Sequence, residues 1–299
     1  MLAATNRHLE STSPVRFGNQ PGMLRFLDVA SDGPRHTVQI VTDPREHAGR
    51  LAARLRLLPR PIVVFVHGFN TTVDEALASA ARLQSDFGVE AVPFCWPADG
   101  GRTGIARYRA DKRDALASAV ALSRFLDALA AAVITHARAG CTIRLTLLAH
   151  SMGCYLVKAL TKSSLLGAGR LLFDNIVLAA PDVNAEGHAE WLDRLCFRHR
   201  LFVLLNEHDA ALAASRAKTG PGQRARLGHW PRQLDARNAT YVDLTHAEGV
   251  GACHTCFAGE PLGNARLRGF LRAALHGEAA ERPLVYVPQR NVYELPPAG

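Results

Sequence analysis

The chain has 299 residues, enough to bury a large core, and its 48% hydrophobic and 21% charged composition is that of a globular protein rather than a disordered one. The net charge of +8 comes mainly from arginines spread along the chain, which is a compositional bias and not the concentrated basic stripe of a nucleic-acid binder. No apolar run approaches membrane-spanning length, the first twenty residues lack the apolar stretch of a secretory leader, and six scattered cysteines do not form a disulfide framework; a cytoplasmic protein without stable membrane insertion is expected.

Taken in chain order, the apolar pattern alternates between short runs and longer helical stripes. A mixed N-terminal region contains one expected strand at His36–Val41. Ile62–Val66 (IVVFV) reads as a strand buried on both faces and runs into His67-Gly68-Phe69-Asn70. Thr72 and Glu75 are spaced as a capping box for a helix to about Phe87. Ala91–Trp96 is the next strand, and one long helix is expected from about Asp111 to Arg138, with Leu122, Phe125, Leu126, Leu129 and Val133 on one face. Ile143 to Leu148 is a strand leading to a helix through Tyr155 and Leu160. Further strands are expected at Phe173–Ala179, Leu201–Leu205 and Thr240–Leu244, with a short helix near Ala189–Leu195 and a final helix at Asn264–Leu275. Such alternation implies a mostly parallel sheet with helices on both faces, in which chemistry gathers at the carboxyl ends of the strands. The expected organisation is a single domain: an extension with the first strands over residues 1–60, a catalytic core over 61–281 and a tail over 282–299.

Ser151 stands in Ala149-His150-Ser151-Met152-Gly153, between a strand and a helix. A nucleophilic serine needs a base to take its proton and a sharp turn to project its oxygen. At such a turn strand and helix approach so closely that only small residues fit two places before and after the serine, and Ala149 and Gly153 meet that requirement. The helix that follows would aim the Met152 amide at an oxyanion formed beside Ser151, and Gly68 would let the loop after Val66 present the Phe69 amide opposite.

Partners for the serine are expected past later strands. Asp209 follows Leu205 and is favoured as the acid over Asp182, which ends the preceding strand, because it lies one strand nearer the histidine loop. Two histidines follow the last core strand. His254 is preferred over His246 because a glycine-bearing loop, Glu248 to Gly251, can carry it back over the sheet edge. Cys253 and Cys256 lack the second ligand pair of a zinc finger, and no metal or cofactor is expected. Two segments, Val183–Cys196 and the arginine-rich Lys218–Arg237, are expected as pocket walls, with Trp191 and Trp230 as candidates for apolar surface and Arg224 or Arg226 for binding an acidic group.

With these residues in place, the sequence resembles the α/β-hydrolase superfamily. Within it, the chain is similar to the bacterial hydrolases grouped under domain of unknown function number 900, through FVHGFN (65–70), WPADG (96–100), Tyr108 with Asp111 and Ser118, AHSMG (149–153), NIVLAAPDV (175–183), HDAAL (208–212) and the neighbourhood of His254. The resemblance covers about residues 60–257. It implies an α/β-hydrolase fold, with Ser151 as nucleophile, His254 as base, Asp209 as acid, and Phe69 and Met152 as oxyanion donors. One departure is that the aromatic residue after the histidine comes one place late, at Phe257. The resemblance does not reach the first 60 residues or the tail.

The activity expected is hydrolysis of a small-molecule carboxylic ester through an acyl-enzyme. A thioesterase or acyltransferase using the same nucleophile and a non-catalytic binding protein on the same fold are the alternatives.

Overall fold

The computed structural model describes residues 1–32, 35–57, 59–98, 104–138, 143–162, 171–217 and 224–296. Its strands are β1 (Leu2–Thr12), β2 (Val15–Asp32), β3 (Arg35–Val41), β4 (Ile62–Val66), β5 (Glu90–Cys95), β6 (Leu145–His150), β7 (Phe173–Ala179), β8 (Phe197–Leu205), β9 (Ala239–Asp243), β10 (Val285–Val287) and β11 (Val292–Glu294). The helices are α1 (Pro44–Leu57), α2 (Val73–Phe87), α3 (Ile105–Ala117), α4 (Ala119–Arg138), α5 (Met152–Lys162), α6 (Ala189–Leu192), α7 (Ala210–Ala217) and α8 (Ala265–Leu275).

All described strands join one sheet in the order β10-β11-β9-β8-β7-β6-β4-β5-β1-β2-β3. From β1 to β11 neighbours run parallel, and the antiparallel pairs β1/β2, β2/β3 and β10/β11 close its two ends. The central strands are buried along almost their whole length because both faces are covered, and β4 (IVVFV) is apolar throughout. One core packs α1, α3, α4 and α5 against the sheet, through Leu51, Leu122, Phe125 and Leu156 among others. The other packs α2 and α8, through Leu77, Leu83, Leu267 and Phe270. The capping box of α2 forms as its sequence predicts, with Thr72 and Glu75 exchanging hydrogen bonds.

Three features differ from the sequence expectations. The long helix is two: α3 starts at Ile105, and α3 and α4 meet at Ser118 with a bend of 44°. Ser118 Oγ donates to the Asp114 carbonyl (2.7 Å) and accepts from Asn6 Nδ2 (2.8 Å), and a side chain inserted into the helical ladder in this way kinks it. The N-terminal region is a three-stranded antiparallel sheet that docks in parallel on β5 through Ala4 and Thr5. The tail forms a hairpin whose second strand pairs with β9 at Tyr293 and Glu294. Among the described residues no single helix is long and apolar enough to cross a membrane.

Candidate active site

At the carboxyl end of β6 the chain turns at once into α5, and Ser151 occupies the turn with φ 52°, a left-handed conformation that non-glycine residues rarely hold. The strain is held by the backbone: Ser151 N–H donates to Ala179 O (2.9 Å), and its carbonyl accepts from Cys154 N (3.0 Å) and Asp182 N (3.2 Å). A Cβ at Gly153 would lie 2.5 Å from Val66 O and 2.6 Å from His67 O, so the helix rests against β4 where only glycine fits. Gly68 is nearly as confined, since a Cβ there would approach Ser151 Cβ at 3.0 Å. Met152 is the first residue of α5, where backbone N–H groups have no partner within the helix.

Past β8, Asp209 sits wholly buried at the start of α7, where its Oδ1 accepts from Leu212 N–H (2.9 Å). Its Oδ2 accepts from His254 Nδ1 at 2.6 Å, the short distance of a bond to an ionised acceptor. That bond fixes the His254 tautomer with its proton on Nδ1 and leaves Nε2 with a lone pair. Asn206 ties the histidine loop to β8, because its Nδ2 donates to Gly251 O (2.9 Å) and Cys253 O (3.1 Å). Phe257 buries its ring edge-on against Phe65 and His150, so the late aromatic anchors the same loop.

Ser151 and His254 line one cleft of about 180 Å³ together with Phe69, Tyr108, Asp182 and Ser215. Asp182 meets no histidine there. Its carboxylate accepts from Tyr108 Oη (2.9 Å) and Ser215 Oγ (2.8 Å) and pairs with Arg226 Nε (3.2 Å). His246 is exposed, stacks edge-on with His208 at 6.0 Å, and borders a separate depression beside Asn264. Arg226 is buried as the partner of Asp182 and Asn184, Arg224 is exposed against Glu186, Trp191 is wholly buried, and Trp230 packs under Arg232. None of these four lines the cleft. The stretch from Lys218 expected as a second wall begins outside the described residues. Cys256 is buried, and burial pushes its thiol up to about 12. Among the described residues no group of three or more histidine, cysteine or acidic side chains is arranged to hold a metal.

Two residues at the site carry no signal in the sequence reading. His150 lies under His254, with ring centroids 4.7 Å apart and its Nε2 donating to His254 O at 3.3 Å. Burial, reinforced by His254, lowers its pKa to about 3, so the supporting ring stays neutral. Arg7, on β1, is buried below the loop after β4: it donates to Thr71 O (2.6 Å), Ala98 O (2.9 Å) and Asn19 Oδ1 (2.9 Å). On the same loop His67 stacks on Trp96 at 5.2 Å while Trp96 Nε1 donates to His67 O (2.8 Å), and burial lowers the His67 pKa to about 3. The sequence stretches around His67 and Trp96 are thus two walls of one support.

The comparison with protein families decides the relationship: a family described as alpha/beta hydrolase of unknown function (DUF900) matches residues 46–267. The chain belongs to that family. The family's span contains Ser151, Asp209 and His254, and it leaves Arg7 and the tail hairpin outside. No curated protein matches in sequence. Among solved structures, the 1.80 Å crystal structure of a "Putative hydrolase" from Agrobacterium vitis S4 is 12% identical over 84% of this chain and 98% of its own, with a TM-score of 0.33.

Proposed function

We propose that the protein is a serine hydrolase that cleaves a carboxylic ester through an acyl-enzyme on Ser151. The observation that carries this reading is the 2.6 Å bond from His254 Nδ1 to the buried Asp209 carboxylate, made by a histidine that shares a cleft with the serine of a strained strand-to-helix turn. In the proposed sequence His254 Nε2 takes the Ser151 hydroxyl proton as Oγ attacks the ester carbonyl, and Asp209 stabilises the imidazolium. The oxyanion that develops is held by the Phe69 and Met152 amides, each worth about 3 kcal/mol in the transition state. His254 then protonates the departing alcohol, and a water molecule repeats the cycle to release a carboxylic acid.

His150 suits this role because a neutral ring beneath His254 does not oppose the positive charge that forms there. The narrow cleft favours a short acyl group. The reading includes a reducing, cytoplasmic setting, which the five free cysteines among the described residues suit.

Turnover of activated short-chain esters and the matching thioesters by wild type, Ser151→Ala and His254→Ala proteins tests the proposal. Ester turnover lost in both variants supports it. Turnover of thioesters alone would move the assignment to a thioesterase with the same nucleophile, and equal turnover in Ser151→Ala would overturn it.

A further inference from the structure

Of the basic side chains in this chain only four are lysines, Lys112, Lys158, Lys162 and Lys218, and two of them, Lys158 and Lys162, border one groove. A groove of about 650 Å³ runs along the outer side of α3, α4 and α5, bordered by Leu116, Val120, Tyr155, Lys158, Ala159 and Lys162. Its volume falls in the range of about 300–1,000 Å³ typical of small-ligand sites. Tyr155, Lys158, Ala159 and Lys162 are spaced to form one face of α5, so an apolar strip and two ammonium groups are presented together.

Leu116 and Val120 face them across the groove and are about half exposed, at 49% and 47%. Lys112 touches one wall of the groove from outside it, with its ammonium 4.9 Å from the Tyr155 ring and 4.8 Å from the ring of Tyr108, which lines the Ser151 cleft. Among the described residues no carboxylate lines the groove, and Glu190 pairs with Lys162 at 3.9 Å where both side chains are exposed. Burial and the charge of Lys162 both lower the pKa of Lys158, the mark of like charges held close on a partly dry surface.

An apolar floor with excess positive charge at its edge is complementary to one ligand chemistry. We propose that this groove binds a free amphipathic anion, a carboxylate or phosphate ester with an alkyl or aromatic body, its charge on Lys158 and Lys162 and its body against Leu116, Val120 and Tyr155. The inference stands apart from the hydrolytic reading, since it concerns equilibrium binding by residues none of which lines the Ser151 cleft.

The test is calorimetric titration of the full-length Ser151→Ala protein with dodecanoate below its micelle-forming concentration, with dodecanol as the uncharged control. Saturable one-to-one binding is expected, with dodecanol at least about tenfold weaker. The double variant Lys158→Gln/Lys162→Gln should bind dodecanoate about tenfold more weakly, the scale of two partly exposed charge contacts. Leu116→Ser/Val120→Ser should weaken it too, and an unchanged unfolding midpoint in each variant would locate the loss in the groove. Absent binding, or binding indifferent to both double variants, would overturn the proposal. Binding to phosphatidylglycerol vesicles but not to monomeric dodecanoate would also overturn it, in favour of a membrane-facing surface.

Discussion

Substituting Asp209 and Asp182 separately by asparagine isolates the part of the site that the chemistry needs. Asp209→Asn keeps an oxygen for the Leu212 N–H, and asparagine caps a helix as well as aspartate, so α7 should retain its start. What changes is the atom facing His254 Nδ1 at 2.6 Å. An amide N–H there can only donate, which moves the imidazole proton to Nε2 and removes the lone pair that would accept the serine proton. An exchange of this kind lowers kcat by about 10⁴, or about 5.4 kcal/mol at 1.36 kcal/mol per factor of ten. Its stability cost is the difference between a charge-assisted and a neutral bond, about 1 kcal/mol.

Asp182→Asn should behave the other way. It removes a buried charge that takes Tyr108, Ser215 and Arg226 together, leaving the Arg226 guanidinium buried without its carboxylate, at a cost of about 3–5 kcal/mol. Hydrolysis of an activated ester, read beside urea unfolding of the same preparations, separates the two. A folded Asp209→Asn protein within tenfold of wild type would refute the reasoning, as would an Asp182→Asn protein of full stability that had lost the chemistry.

Other predictions follow from individual contacts. Arg7→Met should lose about 2–4 kcal/mol in urea unfolding, because the Thr71 and Ala98 carbonyls lose a buried charged donor, and Arg7→Lys should recover part of it. Gly153→Ala drives a Cβ into Val66 O and His67 O and should cost about 1–3 kcal/mol together with most of the serine reactivity; unchanged labelling of Ser151 in that variant would contradict the packing described. His67 and His150 have folded pKa values near 3 and His47 near 4, all below the ordinary value of 6.5. Between those values the unfolded chain binds more protons than the folded one, so stability is full above about pH 6.5 and falls as pH drops toward 3. Thermal unfolding midpoints measured from pH 7 to 4.5 should decline steadily, and a flat profile would refute these burials.

The centre of the fold was legible because its elements state themselves locally. β4 is an unbroken apolar run, β6 is apolar but for Thr146 and the terminal His150, and the small residue two places after Ser151 is required by the backbone contact at Gly153. The order of Ser151, Asp209 and His254 past successive strands was readable from parallel topology, but their juxtaposition depends on Asn206 holding a loop 45 residues away, which no local pattern announces. The bounds of β1 are not legible because Thr5, Asn6 and Arg7 are consecutive buried polar residues on a strand covered on both faces, so neither an apolar run nor an alternating pattern marks it. The break at Ser118 was hidden by an apolar stripe that continues across it. Arg226 looked like a surface anion-binder in an arginine-rich stretch, and only the fold brings Asp182 to it.

The proposed hydrolysis requires Ser151 to be an activated nucleophile, and labelling of the purified full-length protein with a fluorophosphonate measures that without knowledge of the substrate. Rapid, stoichiometric labelling is expected that maps to Ser151, is abolished in Ser151→Ala, and is strongly slowed in His254→Ala. A folded wild-type protein that stays unlabelled, or labelling that persists in Ser151→Ala, would contradict it.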